Sequence, residues 1–218
     1  MKNKVLIFDC DGTVLDTFDL IEHIVFCTFK ELYPKYPLTL DEAHAFFGPY
    51  IADVFKKYAK TDEEVSRCCE VYAKYASLLT EKYIKIYPGM KEALTYLKQN
   101  GYIITIASNK ISKEVYRGLK ICGIEELVDY VVGAEMMEFA KPNPDSIFKI
   151  MNKYQVSNAI MIGDTVNDIK AGQNAGIYTV GVTWCKTSKE TFQGCKADEI
   201  ISDPLELKNI GIKYEKIL

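Results

Sequence analysis

Val5-Leu6-Ile7-Phe8-Asp9-Cys10-Asp11-Gly12-Thr13 is the stretch from which the rest of the chain can be read. Its unbroken apolar run is the pattern of a short strand covered on both faces of a parallel sheet. The run stops at two carboxylates one residue apart. In open α/β sheets, ligands bind in the crevice beyond the carboxyl ends of the strands. Two carboxylates there are costly unless a cation or a proton compensates them. Gly12 permits a sharp turn with backbone close to a ligand. An Asp-rich turn without function is the plain alternative. A calcium loop is excluded, because its sixth position would be Val14 rather than Gly and its twelfth Leu20 rather than Glu.

Outward from this stretch, similar apolar runs recur at Tyr102–Ala107, Tyr130–Val132, Ala159–Ile162 and Tyr178–Val182. Helical patterns lie between them. Met90, Ala93, Leu94 and Leu97 share a face and Gly101 follows as a stop; Val115, Leu119 and Cys122 end at Gly123; Ile169 to Ala175 is closed by Gly176. Strand then helix, repeated, predicts an α/β fold: a Rossmann-like, doubly wound, mostly parallel sheet. Residues 17–85 break the rhythm. Ile21, Ile24, Val25, Phe29 and Leu32 lie at helical spacing before Pro34. Thr39 with Glu42 and Thr61 with Glu64 read as capping boxes. The second box opens a long helix with Val65, Cys68, Tyr72, Tyr75, Leu79 and Tyr83 on one face. The expected organisation is a core of residues 1–16 and 86–218, with an all-helical insertion at 17–85.

Three further segments carry chemistry. Gly163-Asp164-Thr165-Val166-Asn167-Asp168 follows an apolar strand directly, and Asp164 and Asp168 could face one crevice from a turn into a helix. With Asp9 they supply the hard oxygen ligands that Mg²⁺ prefers. Acidic residues at a helix start also complement its dipole without any metal. Ser108-Asn109 ends the strand Tyr102–Ala107; a hydroxyl and backbone N–H groups at a helix start make a phosphate cradle, or an ordinary cap. Lys141-Pro142-Asn143-Pro144 holds one cation in a stiffened segment, where it could neutralise a nucleophile and a phosphoryl oxygen together; taken alone it reads as an exposed loop lysine.

Composition is that of a folded globular protein, with 48% hydrophobic and 26% charged residues. The net charge of −3 lacks the basic surplus that a nucleic-acid partner would require. Seven cysteines, at 10, 27, 68, 69, 122, 185 and 195, show no CxxC spacing, which argues against a disulfide framework or a zinc site. The N-terminal run Val5–Phe8 is too short for a secretion signal, and no segment is long enough to span a bilayer. A cytoplasmic protein without membrane or nucleic-acid partners is expected.

Taken in order, Asp9-x-Asp11-Gly12-Thr13, Ser108, Lys141-Pro142 and Gly163-Asp164-x-x-x-Asp168 resemble the four motifs of the haloacid dehalogenase superfamily. The resemblance implies a Rossmann-like core with a helical cap inserted after the first motif. It implies Asp9 as nucleophile and Asp11 as general acid, then base. Asp9 and Asp164 would bind Mg²⁺ by carboxylate, Asp11 by its backbone carbonyl and Asp168 through water. Ser108, Asn109, Lys141, Gly12 and Thr13 would hold the phosphoryl group of a small phosphorylated metabolite. Dehalogenases of the superfamily do not need the second aspartate, so Asp11 favours phosphate chemistry. Phe46-Phe47-Gly48-Pro49-Tyr50, Gly118-Leu119-Lys120 and Asn174-Ala175-Gly176 are similar to the phosphoglycolate phosphatase and bacterial pyrophosphatase branch. That makes Gly48 and Pro49 a candidate substrate loop, with a plain turn as the alternative. The alternatives are a sugar phosphomutase of the β-phosphoglucomutase type and a non-catalytic binding protein. His23, His44 and the lysines at 56, 57 and 60 read as packing or surface residues, and Trp184 as core or crevice wall.

Overall fold

The computed structural model describes residues 4–210 and 213. Met1 to Asn3, and the ends of the expected core range at 1–3, 211–212 and 214–218, lie outside the described residues. The apolar run forms β1 (Lys4–Phe8). Four helices follow: α1 (Phe18–Leu32), α2 (Leu40–His44), α3 (Ile51–Phe55) and α4 (Asp62–Tyr83). The chain then alternates through α5 (Met90–Gln99), β2 (Tyr102–Ala107), α6 (Ser112–Ile121), β3 (Tyr130–Val132), α7 (Asp145–Tyr154) and β4 (Ile160–Gly163). It finishes with α8 (Val166–Ala175), β5 (Tyr178–Val182), α9 (Lys189–Gly194) and β6 (Glu199–Ile201). Two compact units result: Met1–Asp16 with Ile86–Leu218, and Thr17–Lys85.

In the first unit the main sheet has six strands, all parallel, in the order β3-β2-β1-β4-β5-β6. This is a doubly wound α/β sheet, and the strand order reverses between β1 and β4. Burial explains the unbroken apolar runs. Val5, Leu6, Ile7 and Phe8 are all fully buried, so neither face of β1 can carry a polar side chain. Each such burial contributes about 1.5–3 kcal/mol. Val5, Ile7 and Met161 pack on one side with Ile147 and Ile150 of α7 and Ala171 of α8. Helix α5 packs against β2. Register then fixes where the site can be: Phe8 pairs with Ile106 on one flank and with Ile162 on the other. The residues that come next on all three strands therefore emerge at one edge of the sheet.

Glycine ends the helices where the sequence predicts. Gly176 is the left-handed C-cap of α8, and Gly101 and Gly123 follow α5 and α6 with φ of +77° and +63°. Strand β6 and helices α3, α7 and α9 are additions to the sequence reading.

The second unit has its own core of Ile21, Val25, Phe29, Ala43, Phe46, Val54, Phe55, Val65 and Cys68. Phe29 lies edge-on to Phe46 and Tyr58, with centroids 5.8 and 4.9 Å away. The Thr39–Glu42 box forms in full. The Thr61 box forms only by half: Thr61 accepts from the Glu64 N–H, but the Glu64 carboxylate takes the Lys60 N–H at 2.6 Å instead. The predicted apolar face of α4 is buried only at Val65 and Cys68; further along, Tyr75 turns its hydroxyl to Glu31. Both histidines pack as expected, His44 against Glu22 and Phe18, and His23 on the Tyr83 ring. Among the described residues, no helix is long and apolar enough to cross a membrane.

Candidate active site

The edge defined by β1, β2 and β4 gathers charged side chains from distant parts of the chain. Asp9, directly after β1, is held by its N–H on the Ile162 carbonyl at 2.8 Å. Asp164 follows β4, and its Oδ1 accepts from the Thr13 hydroxyl at 2.8 Å. Asp168 sits in the first turn of α8, where Thr165 caps the helix and donates from its N–H and hydroxyl to Asp168 Oδ2, at 2.9 and 2.6 Å. The helix-start role and the approach to the site are therefore met by one residue. Gly163 makes this packing possible: a Cβ there would lie 2.3 Å from the Asp168 Cβ. Carboxylate oxygens of Asp9, Asp164 and Asp168 lie within 4.8 Å of one another, and all three residues are buried.

Lys141 ties this cluster together. Its Nζ donates to Asp9 Oδ1 at 2.6 Å, to Asp168 Oδ1 at 2.6 Å and to the Ala107 carbonyl at 2.7 Å. Its backbone is fixed by Asn109, whose Oδ1 accepts the Lys141 N–H at 3.0 Å. The Lys141–Pro142 peptide is cis. Burial opposes the charged ammonium, but the Asp168 and Asp9 carboxylates outweigh it and hold Lys141 above its usual pKa.

At Asp9 and Asp164 burial prevails and favours the neutral acid. Desolvation raises Asp9 from 3.8 to about 7, outweighing the attraction of Lys141, while Asp168 and Asp11 add repulsion. Asp164 is pushed well above its ordinary value by burial, then by the charges of Asp9 and Asp168, with the Thr13 hydrogen bond pulling back. Three buried carboxylates against the single charge of Lys141 make a donor set that fits a hard divalent cation.

Asp11 and Ser108 border this cluster. The Gly12 turn has φ +84°, the left-handed region that glycine adopts without strain. Ser108 is buried, and its Oγ accepts the Lys110 N–H at 3.2 Å. Thr13 is fully buried, its hydroxyl turned to Asp164. Gly48 and Pro49 belong to the other unit, in the turn between α2 and α3, with Gly48 at φ +99°.

Two neighbours complete the surroundings of the motifs: Lys110, which the sequence did not single out, and Trp184, read there as core or crevice wall. Lys110 Nζ donates to Asp11 Oδ1 at 2.6 Å. Its one sequence signal is position, the residue after Ser108-Asn109. Trp184 donates from Nε1 to the Thr13 carbonyl at 3.0 Å and faces Tyr87, so it braces the first motif.

Comparison with known proteins gives the family and the fold. A family model, Haloacid dehalogenase-like hydrolase, matches residues 6–182. The chain is 32% identical over 208 residues to the pyrophosphatase PpaX of Listeria monocytogenes, covering 94% of this chain and 95% of that one. Among solved structures, a haloacid dehalogenase-like family hydrolase of Streptococcus pneumoniae superposes with TM-score 0.83 at 24% identity, over 95% of this chain and 98% of that one. A "predicted phosphoglycolate phosphatase" of Haemophilus somnus gives TM-score 0.84 at 24% identity, over 96% and 98%. At such identities the structural likeness carries the fold.

Proposed function

Because the chain belongs to the haloacid dehalogenase-like hydrolase family and is a phosphatase of that family, we propose that it is a Mg²⁺-dependent enzyme that hydrolyses a small phosphorylated metabolite through a phosphorylated Asp9. Inorganic pyrophosphate, the substrate named for the Listeria relative, heads the substrate classes, with phosphoglycolate-like esters next. The observation that carries the reading is the convergence of Asp9, Asp164 and Asp168 within 4.8 Å, around a lysine that bonds two of them.

In this mechanism an Asp9 carboxylate oxygen attacks phosphorus and the bond to the leaving oxygen breaks. That oxygen keeps the electron pair and takes a proton from Asp11. Water then attacks the phosphorus, gives a proton to Asp11 and regenerates the Asp9 carboxylate. The covalent intermediate splits one difficult displacement into two. Mg²⁺, held by the Asp9 and Asp164 carboxylates and the Asp11 carbonyl with Asp168 acting through water, would supply charge compensation for carboxylate and phosphate. Lys141, Ser108, the Asn109 backbone and the Gly12-Thr13 turn hold the phosphoryl oxygens. Gly48 and Pro49 are assigned to a substrate loop of the helical unit. The seven unbridged cysteines support a reducing, cytoplasmic setting.

The test is phosphate release from pyrophosphate, phosphoglycolate, nucleotides, sugar phosphates and an aryl phosphate, with and without Mg²⁺. Asp9→Asn should abolish turnover. Asp11→Asn should lower it about 10²–10⁴-fold, the usual contribution of a general acid–base group. Full Mg²⁺-dependent activity in Asp9→Asn would rule out the covalent route.

A further inference from the structure

Lys110 stands at the site but outside the steps just described. Its ammonium is 2.6 Å from Asp11 Oδ1, and the pair is well covered, with 24% of the Lys110 side chain and 13% of the Asp11 side chain exposed. The backbone of Lys110 is fixed from two directions: its N–H donates to Ser108 Oγ at 3.2 Å and its carbonyl accepts from the Ala134 N–H at 3.0 Å. A fixed base under a long, flexible side chain allows the ammonium to exchange one anionic partner for another nearby.

The two lysines of the site divide the work. Lys141 bonds Asp9 and Asp168, on the side of the nucleophile. Lys110 bonds Asp11, the residue that protonates the departing oxygen. A group that donates to the departing oxygen must lie beside the leaving group, and an ammonium within hydrogen-bond reach of that donor lies there too. We propose that Lys110 forms a leaving-group subsite, which favours substrates whose leaving group carries its own phosphate or carboxylate charge close to the scissile oxygen. This rests on the phosphohydrolase reading above and narrows its substrate class to pyrophosphate or carboxylate-bearing phosphate esters, against esters of neutral alcohols.

For pyrophosphate, an Asp9 oxygen bonds to one phosphorus as the bond from that phosphorus to the bridging oxygen breaks. The bridging oxygen keeps the electron pair, takes the Asp11 proton and leaves as orthophosphate. Lys110 makes and breaks no covalent bond; it holds the outer oxygens of the departing phosphate. With a neutral alcohol the same bonds change, and Lys110 meets no anion on the leaving group.

The experiment compares kcat/KM for pyrophosphate, phosphoglycolate and ethyl phosphate, in Mg²⁺, for the wild type, Lys110→Gln and Lys110→Arg. The wild type should favour the two anionic leaving groups over ethyl phosphate. Lys110→Gln should lose about 10- to 100-fold on pyrophosphate and phosphoglycolate, the range of a charge-assisted hydrogen bond, and about threefold or less on ethyl phosphate. Lys110→Arg should keep most of the preference. An equal fall on all three substrates would reduce Lys110 to a support for Asp11 and overturn the subsite. A wild type without preference would overturn it too, even if neither variant folded. Absence of phosphate release from any substrate by the wild type would instead sink the phosphohydrolase reading itself.

Discussion

Asp9 shows how one residue couples chemistry to stability. Its folded pKa of about 7 lies above the ordinary 3.8 because burial outweighs Lys141. In this range the folded protein binds a proton that the unfolded chain has released, so stability falls as pH rises. The Asp9 contribution is full below about pH 4 and lost as pH passes through about 7. Thermal melts of metal-free protein should therefore drop between pH 5 and pH 8, and saturating Mg²⁺ should flatten the slope. A metal-free melting temperature that climbs over that interval would contradict the assignment. Lys141 bears the opposite charge in the same pocket, 2.6 Å from both Asp9 and Asp168. Lys141→Met leaves these carboxylates buried without their cation, which typically costs about 3–5 kcal/mol. Urea denaturation without metal should show that loss, and Mg²⁺ should recover part of it. These residues were legible in sequence because each follows a strand end or sits in a rigid loop. Lys110 was not, since a lysine after a cap looks like any solvated lysine until the fold sets it against Asp11.

At the scale of elements, the junction of β4 and α8 has the least room. Gly163 has no side chain because Asp168 occupies the space, its Cβ 2.3 Å and its Cγ 2.4 Å from where a methyl would sit. Gly163→Ala should cost about 1–3 kcal/mol as an overpacked site. It should also lower kcat disproportionately, because Asp168, which bonds Lys141, must shift. Thr165→Ala removes the cap of α8 and should cost about 1 kcal/mol by chemical denaturation; equal stability of variant and wild type would show the cap to be idle. The helix patterns closed by Gly101, Gly123 and Gly176 could be read directly, because an apolar face and a left-handed stop are both local signals. Strand β6 could not, since Glu199-Ile200-Ile201 is short and takes its identity from pairing with β5. The half-formed box at Thr61 misled for a related reason: a carboxylate at the right spacing can take a neighbouring N–H instead, here that of Lys60.

For the whole molecule, the proposed metal binding would be coupled to folding, because the candidate metal residues lie far apart in the first unit's chain, at positions 9, 164 and 168, and meet only when the sheet is built. Mg²⁺ at about 100 times its dissociation constant should raise unfolding stability by about 2.7 kcal/mol. Asp164→Asn should abolish most of that gain, measured as the shift in denaturation midpoint on adding metal. A shift unchanged in the variant would place the cation elsewhere. The doubly wound sheet was legible because strands buried on both faces must be continuously apolar, and the helical unit because its periodicity changes abruptly at about residue 17. Lys141 reaches across 132 positions to Asp9 and across 27 to Asp168. During synthesis the aspartate thus leaves the ribosome well before the side chains that surround it in the fold. On the proposed mechanism, the growing polypeptide therefore holds no assembled site until residue 168 has followed residue 9 out of the ribosome.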